Sequence, residues 1–240
     1  MPVFRLQRQP FFPSPDLAEP DGLLAVGGDL SPIRLLAAYR MGIFPWYGPD
    51  DPILWWTPDP RLVLFPDRMH VSRRLARTLR SGVFQVTADR AFAQVIAACA
   101  GTLRHGAAGT WLVPEMRAAY TRLHALGFAH SVETWQEGRL VGGLYGVGLG
   151  RVFFGESMFS AVRDASKVAL ASLVHNAGSL SLELIDCQMR SGHLLSLGAE
   201  EIAREAFMAH LRRHEVNSST PRFIACPAMY CLHLQSLSFF

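Results

Sequence analysis

The chain has 240 residues, of which 50% are hydrophobic, 18% charged and 10% aromatic, with a formal net charge of +3. The low charged fraction and the high aromatic fraction exclude a disordered chain. No apolar run reaches the about 18 residues of a membrane span, and the first residues lack a continuous apolar segment of the secretory type, so the sequence predicts a soluble globular protein with no membrane partner.

Residues 1–60 predict a small, turn-rich N-terminal domain, because most of the fifteen prolines lie there and regular structure must be short. One helix is indicated by Ser31 as N-cap, by Pro32 in the first turn and by the apolar residues that follow as far as Gly42. An aromatic segment at 44–47 comes next, and residues 53–57 predict a strand that completes the domain.

Residues 61–214 predict a larger domain in which helices and strands alternate. Helices are expected at 73–81, 91–100 and 115–126, with a short strand at 85–87. Three strands in hairpin order follow at 130–136, 139–148 and 151–156. A helix from Asp164 to Gly178, a strand at 182–186 and helices at 190–197 and 200–213 complete the domain. Residues 215–240 form a divergent tail to which we assign no role.

The order of these elements predicts an α+β fold with a mixed, mostly antiparallel sheet flanked by helices. Antiparallel strands followed by a long helix and a further strand are typical of the acetyl-CoA-dependent N-acetyltransferase (GNAT) superfamily. In that superfamily a glycine-containing turn before the helix binds the pyrophosphate of the coenzyme. Residues 159–165 contain no glycine, so we expect an acyl donor other than acetyl-CoA.

The four cysteines indicate a reducing, cytoplasmic environment, because they are scattered and none forms a Cys-x-x-Cys pair. Cys226, Cys231 and His233 lie close together in sequence. A metal site there is the less favoured alternative, since no fourth ligand is near. We therefore expect free thiols and no metal.

Two apolar strands are predicted to end in polar residues, Glu156 on one and Asp186 with Gln188 on the other. Groups at the carboxyl ends of strands in open α/β sheets face the ligand crevice. Asp186 and Gln188 alternate along their strand, so both side chains are expected on one face, about 6.5–7 Å apart. A single glutamate at a strand end is equally typical of a solvated terminus, but the two ends together favour a functional site.

Arginines cluster between residues 61 and 80, where one acidic residue, Asp67, accompanies Arg61, Arg68, Arg73, Arg74, Arg77 and Arg80. Guanidinium groups bind phosphate bidentately, so the cluster predicts either a phosphate-binding surface or a solvated charged face. Trp46 and Trp111 each lie beside a turn or loop and suit base stacking, worth about 1–3 kcal/mol per base, although either tryptophan alone is more commonly part of a core. Together these residues favour a single-stranded nucleic-acid end, such as the 3′ end of a tRNA.

Nine collinear segments carry a family resemblance: DGLLAVGGDL at 21–30, AYRMGIFPW at 38–46, LWWTPDPR at 54–61, GTWLVPEM at 109–116, GFAHSVE at 127–133, LVGGLYG at 140–146, FGESMFS at 154–160, DASK at 164–167 and LIDCQ at 184–188. His193 and residues 196–199 add to the match. Through these segments the sequence resembles the bacterial leucyl/phenylalanyl-tRNA–protein transferases.

The resemblance implies a two-domain enzyme, with a small N-terminal domain against a GNAT-like C-terminal domain and the reaction between them. Such an enzyme moves Leu, Phe and, less readily, Met from aminoacyl-tRNA to proteins whose N-terminal residue is Arg or Lys. Its products are degraded through the bacterial N-end-rule pathway. The expected partners are therefore aminoacyl-tRNA and acceptor proteins in the cytoplasm, with no DNA.

The resemblance also implies roles for individual residues. Trp46 and Trp111 match the tryptophans that hold the terminal adenosine of the tRNA. Asp186 and Gln188 match residues assigned to catalysis, and Glu156 matches one beside the aminoacyl ester. The hydrophobic pocket for the aminoacyl side chain corresponds here to Leu144, Phe153, Met158, Leu170 and Ile185. The arginine cluster, rather than the resemblance, predicts contacts to the tRNA backbone from Arg61, Arg73, Arg74, Arg77 and Arg80. Ala161 replaces an arginine of the family pattern.

These residue types suit aminolysis of an ester. An aminoacyl ester is already activated, so no cofactor is expected, and the enzyme must supply proximity and a neutral amine. Gln188 is expected to hold that amine, with Asp186 polarising Gln188 or taking a proton through water. Glu156 is expected to attract the cationic side chain of the acceptor. The alternative, a nucleic-acid-binding protein without catalysis, leaves these three residues unexplained.

Overall fold

The computed structural model describes residues 3–101 and 112–213, and within them the predicted α+β fold is confirmed. Trp111 and the tail at 215–240, with Cys226, Cys231 and His233, lie outside the described residues. No helix within residues 3–101 and 112–213 is long and apolar enough to cross a membrane.

The N-terminal part forms a four-stranded sheet with one α-helix. Its strands are β1 (Phe4–Leu6), β2 (Leu23–Gly27), β3 (Phe44–Pro45) and β4 (Leu54–Trp56), in the order β1-β2-β4-β3, and helix α1 (Pro32–Arg40) connects β2 to β3. The predicted helix is confirmed, and the Arg34 amide donates to Ser31 Oγ over 3.4 Å. Leu35 and Tyr39 form its buried face, whereas Ile33 is 70% exposed.

The larger part forms a seven-stranded sheet in the order β11-β5-β10-β9-β8-β7-β6. Its pairs are antiparallel except β9 with β10, as expected for a mostly antiparallel mixed sheet. The strands are β5 (Arg61–Leu64), β6 (Gln85–Ala88), β7 (Ala129–Gln136), β8 (Arg139–Leu149), β9 (Val152–Ser160), β10 (Leu184–Gln188) and β11 (Glu200–Ile202). The helices are α2 (Arg73–Arg80), α3 (Phe92–Gly101), α4 (Pro114–Ala125), α5 (Ala165–His175), α6 (Ala177–Leu180), α7 (Gly192–Leu195) and α8 (Arg204–Arg213).

The C-terminal elements differ from the prediction. The helix predicted at 200–213 is wrong over its first turn, because Glu200–Ile202 pairs with β5 as an edge strand before α8 begins. The helix predicted at 190–197 shortens to α7, and α5 ends at His175, short of Gly178. Strand β5 was not predicted, and β9 continues four residues beyond the predicted end at 156. The predicted domain boundaries at residues 60 and 214 stay predictions.

The two sheets share one hydrophobic core. Leu35 and Trp55 from the N-terminal part, Phe154 from β9 and Phe207 and Leu211 from α8 belong to a single buried cluster. A second cluster lies on the opposite face of the large sheet, beneath α2 and α5. Successive residues along β8, β9 and β10 therefore point alternately into the first and the second cluster. Residues of both clusters line the site described below.

Candidate active site

A cavity of about 370 Å³ opens beside β8, β9 and β10, with β3 of the small sheet on one side. All five predicted pocket residues line it: Leu144, Phe153, Met158, Leu170 and Ile185. Trp46, Glu156 and Gln188 line it as well. The structure thus brings together residues that are more than 140 positions apart in sequence, and both apolar side chains and polar groups line the cavity.

Strand register explains how the apolar part forms. Leu144 of β8 lies opposite Met158 of β9, and Phe153 of β9 lies opposite Ile185 of β10. Gly146 permits the close approach of β8 and β9, because a Cβ atom there would collide with the Phe154 carbonyl oxygen and the Phe153 ring. Side chains on neighbouring strands at matched register therefore form one continuous apolar surface.

Two β-bulges place the polar residues. On β9, Tyr145 pairs with Ser157 and Gly146 with Gly155, so Glu156 is the extra residue of the first bulge. On β10, Cys187 is the extra residue between Asp186 and Gln188. A bulge redirects the side chains beside it, and bulges are over-represented next to active sites.

Glu156 is the centre of a buried hydrogen-bond cluster. Its Oε1 accepts from the Tyr39 hydroxyl and from Gln188 Nε2, each over 2.7 Å, and its Oε2 accepts from the Tyr120 hydroxyl over 2.7 Å. Burial raises the pKa of Glu156 from 4.5 to about 7, because desolvation of the charge outweighs these hydrogen bonds. At neutral pH this carboxyl group therefore titrates.

The second bulge makes the predicted placement of Asp186 and Gln188 on one face wrong. An extra residue breaks the two-residue alternation, and Gln188 adopts a left-handed backbone conformation with φ of 63°. Asp186 Oδ1 accepts the Gln188 backbone N–H over 2.9 Å, while the Gln188 amide reaches Glu156. Gln188 faces the cavity, and Asp186 lies behind it without lining it.

The prediction that Arg61 contacts the tRNA backbone is also wrong. Arg61 is 1% exposed, and its Nε and Nη2 donate to Asp186 Oδ1 and Oδ2 over 2.8 and 2.7 Å. The rings of Phe44 and Phe207 lie 4.8 and 4.7 Å from the guanidinium carbon. A fully buried guanidinium that is paired in this way cannot reach a phosphate, and it keeps both Asp186 oxygens occupied.

The other four arginines that were predicted to contact the tRNA backbone are exposed on helix α2. Leu75 and Leu79 of α2 pack inwards, which leaves the other side of the helix to solvent. One of the exposed guanidinium groups, that of Arg74, lies 3.7 Å from Asp164. The exposed set consists of Arg73, Arg74, Arg77 and Arg80.

Trp46 lies at the rim of the cavity and is 36% exposed. The Trp56 indole N–H donates to the Trp46 carbonyl oxygen over 2.6 Å, and the two rings meet edge to face at 5.7 Å. Trp46 is therefore held in place while part of its surface is accessible.

Sequence reasoning missed Tyr39 and Tyr120. Each follows two alanines on a helix, in Ala37-Ala38-Tyr39 and Ala118-Ala119-Tyr120. Small residues let two helices approach closely. The repeated Ala-Ala-Tyr pattern could therefore have predicted that these two phenols lie close together. Within residues 3–101 and 112–213, no group of three or more His, Cys, Asp or Glu side chains is arranged to hold a metal ion.

The match to known proteins covers both parts of the chain. Residues 63–212 match the family described as leucyl/phenylalanyl-tRNA protein transferase, and residues 28–59 match the N-terminal domain of that family. The chain belongs to the leucyl/phenylalanyl-tRNA protein transferase family. It is therefore an aminoacyltransferase that moves an amino acid from tRNA to protein, and the cavity is its candidate active site.

Relatives that carry the name of this transferase family are similar over most of their length. One from Anaeromyxobacter sp. (strain Fw109-5) is 62% identical over 213 residues, which cover 89% of this chain and 91% of the relative. Another, from Syntrophobacter fumaroxidans, is 61% identical over 211 residues, which cover 88% of this chain and 90% of the relative.

Two solved structures show a more distant similarity. A conserved protein of unknown function from Staphylococcus epidermidis has a TM-score of 0.43 and 8% identity, over 75% of this chain and 68% of that one. A GCN5-related N-acetyltransferase from Kribbella flavida has a TM-score of 0.31 and 15% identity, over 70% of this chain and 59% of that one.

Proposed function

We propose that this transferase moves Leu, Phe and, less readily, Met from aminoacyl-tRNA to the N-terminal Arg or Lys of acceptor proteins in the cytoplasm. The products would enter N-end-rule degradation. The observation that carries the proposal is the apolar cavity of about 370 Å³, whose polar side holds Glu156 and Gln188. The Arg or Lys preference and the degradation step follow from the family resemblance.

The lining of the cavity supports a preference for large, unbranched or γ-branched apolar side chains. Leu144, Phe153 and Ile185 are nearly inaccessible and define its shape, whereas Met158 is only partly buried and has a flexible side chain. A hydrophobic pocket discriminates by about 1–3 kcal/mol per methylene, which is too little to separate Leu, Phe and Met sharply.

The transfer forms a C–N bond between the acceptor α-amine and the ester carbonyl carbon, and it breaks the C–O bond to the ribose. The amine proton ends on the ribose hydroxyl. In this mechanism Gln188 holds the attacking amine through Oε1, since its Nε2 already donates to Glu156. Asp186 acts as a positioning residue rather than a base, because Arg61 occupies both of its oxygens.

The tRNA would reach the cavity along two surfaces. Trp46 at the rim, together with Trp111, is proposed to stack on the terminal adenosine. The exposed arginines of α2 are proposed to bind backbone phosphates, since α2 packs against α5, whose Leu170 lines the cavity.

Transfer of labelled amino acid tests the proposal. We expect tRNA charged with labelled Phe, Leu or Met to label a protein that begins with Arg, with less label transferred from Met-tRNA than from the other two. A matched protein that begins with Ala should stay unlabelled. Aminoacylated Val-tRNA serves as the donor control, because the valine side chain has one methylene fewer than leucine and buries less apolar surface in the cavity. Equal labelling of the Arg and Ala proteins, or equal use of Val, would contradict the proposed specificity.

A further inference from the structure

Three oxygen-bearing side chains close a ring in the buried part of the active site. The Tyr39 hydroxyl lies 2.7 Å from Glu156 Oε1, the Tyr120 hydroxyl lies 2.7 Å from Oε2, and the two hydroxyls lie 2.6 Å from each other. Both tyrosines are 0% exposed and Glu156 is 6% exposed. At these separations each pair of oxygens shares a hydrogen.

Counting hydrogens gives the protonation state of the ring. Each neutral phenol contributes one hydrogen, and an ionised carboxylate contributes none. With Glu156 ionised, two hydrogens are available for three contacts. A protonated Glu156 supplies the third hydrogen. The hydrogen bond from Gln188 Nε2 to Oε1 uses an amide hydrogen of Gln188 and so does not change this count. All contacts are satisfied together when Glu156 is a neutral acid.

The surroundings favour the same state. Tyr145 on β8 packs edge to face against Tyr120 at 5.6 Å, and its phenol adds no positive charge. Burial raises the pKa of Glu156, the nearby Asp186 on β10 raises it further, and Arg61 on β5 is paired with Asp186. Burial raises the pKa of the Cys187 thiol, which therefore stays neutral. With burial of Glu156 itself, its pKa of about 7 keeps the acid neutral in the resting enzyme below that pH.

The ring can carry its hydrogens in two orders. In one order Oε2 donates to Tyr120, Tyr120 to Tyr39 and Tyr39 to Oε1. In the other order every donor and acceptor is reversed, and the acid hydrogen lies on Oε1. Exchange between the orders moves the acid hydrogen between the two oxygens without moving a heavy atom. A proton accepted at one oxygen can thus be matched by a proton released from the other.

We propose that the resting enzyme holds Glu156 as a neutral acid within the Tyr39–Tyr120 ring, and that this acid relays the proton from the attacking amine to the leaving ribose oxygen. The relay deepens the transfer reaction proposed above and depends on it. One carboxyl oxygen takes the proton of the amine as the C–N bond forms. The other gives its proton to the ribose as the C–O bond breaks, so Glu156 ends neutral. Glu156 is then a catalytic residue, and Tyr39 and Tyr120 are positioning residues.

Infrared spectroscopy tests the resting state without any substrate. We expect a carboxylic-acid C=O band that disappears as the pH rises through about 7 in the wild type and is missing from Glu156→Gln. Tyr39→Phe and Tyr120→Phe each open the ring, so that the remaining phenol donates to the carboxylate and no contact needs the acid hydrogen. The band should therefore disappear at lower pH than in the wild type. Tyr47→Phe, which removes a buried phenol outside the ring, is the matched control and should leave the band unchanged.

Single-turnover transfer from Phe-tRNA at saturating acceptor tests the relay. The ratio of the wild-type rate to the Glu156→Gln rate cancels ionisation of the amine, which is common to both. If the neutral acid is the active form, this ratio is constant below the pKa of Glu156 and falls about tenfold per pH unit above it. The fall should begin at lower pH in each of Tyr39→Phe and Tyr120→Phe, and at the wild-type pH in Tyr47→Phe.

The outcomes separate the alternatives. A fall of the ratio on the alkaline side, in step with the infrared band, supports the relay. A ratio that rises with pH shows that the ionised carboxylate acts as a base, and a flat ratio removes Glu156 from proton transfer; either overturns the proposal. Absence of the acid band at low pH overturns the neutral ring. A wild type that shows the band but transfers no amino acid would instead refute the proposed function.

Discussion

Replacing Arg61 by Met leaves the Asp186 carboxylate buried without the guanidinium that pairs with both of its oxygens. Arg61 is 1% exposed and Asp186 is 0% exposed, so water cannot replace the missing partner. Removing one member of a buried ion pair costs about 3–5 kcal/mol of unfolding free energy. For a chain of this size, that corresponds to a fall in Tm of about 6–20 °C.

Urea denaturation of wild type and variant measures the destabilisation directly. The matched control is Arg68→Met, since Arg68 pairs with Glu200 at the surface, where the two side chains are 59% and 41% exposed. An exposed pair contributes about 0–1 kcal/mol, so the control should unfold close to wild type. If Arg61→Met also unfolds within about 1 kcal/mol of wild type, the buried ion pair does not support this part of the fold.

The double variant Arg61→Met/Asp186→Leu separates stability from activity. Apolar replacement of a whole buried pair is often neutral, so most of the unfolding free energy should be recovered. The Gln188 N–H, however, has no acceptor in this variant, because Asp186 Oδ1 is removed. Transfer from Phe-tRNA should therefore stay slow although the fold is restored. Recovery of the rate together with the stability would show that Asp186 does not position Gln188.

Three further predictions concern tRNA binding and pH. Trp46→Ala should raise KM for Phe-tRNA about 5–150-fold, the equivalent of one base stack, with Tm unchanged; an unaltered KM would return Trp46 to a packing role. The double variant Arg73→Ala/Arg77→Ala should lower the salt slope of tRNA binding by ~1 for each phosphate that the variant no longer binds, whereas exposed Arg139→Ala on the β7–β8 turn should leave it as in wild type. The pKa of Glu156 rises on folding from 4.5 to about 7, so the folded state binds more protons between these values and stability falls as pH rises through them. Relative to Glu156→Gln, the wild type should lose about 3 kcal/mol of unfolding free energy over that range, measured by urea titration at each pH, and equal pH dependence of the two proteins would refute the shift.

Hydrophobic periodicity, together with capping and turn residues, was sufficient to predict most of the longer helices and strands. Ser31-Pro32 indicated α1, and the two turns after β7 and β8 set the three-stranded hairpin unit, because these signals are local. Edge strands are determined by their partners instead. The Glu200–Ile202 segment resembles the start of a helix until its pairing with β5 is known, and no local pattern contains that information.

Residues of both the apolar and the polar half of the site could be predicted through the family resemblance, and the polar ones also from their positions at strand ends. The contacts that the polar residues make could not be predicted. A bulge adds one residue to a strand without any marker in the surrounding alternation, so Cys187 reversed the expected face of Gln188. Arg61 belonged to a basic run in sequence, and only tertiary structure reveals that its partner is Asp186, 125 positions away. Long-range electrostatic pairing of this kind cannot be inferred from local charge density.

The position of α8 has a consequence for synthesis of the chain on the ribosome. Phe207 and Leu211 complete the core around Leu35 and Ile43, and Phe207 also lies against the Arg61 guanidinium. The N-terminal part is translated first, yet its core stays open until α8 has emerged, near the end of the described chain. Nascent chains that pause before that point expose apolar surface. They also lack Phe207, which packs against the Arg61 guanidinium that pairs with Asp186. Premature stops or ribosomal stalling upstream of α8 should therefore give chaperone-bound, inactive products rather than partially active enzyme.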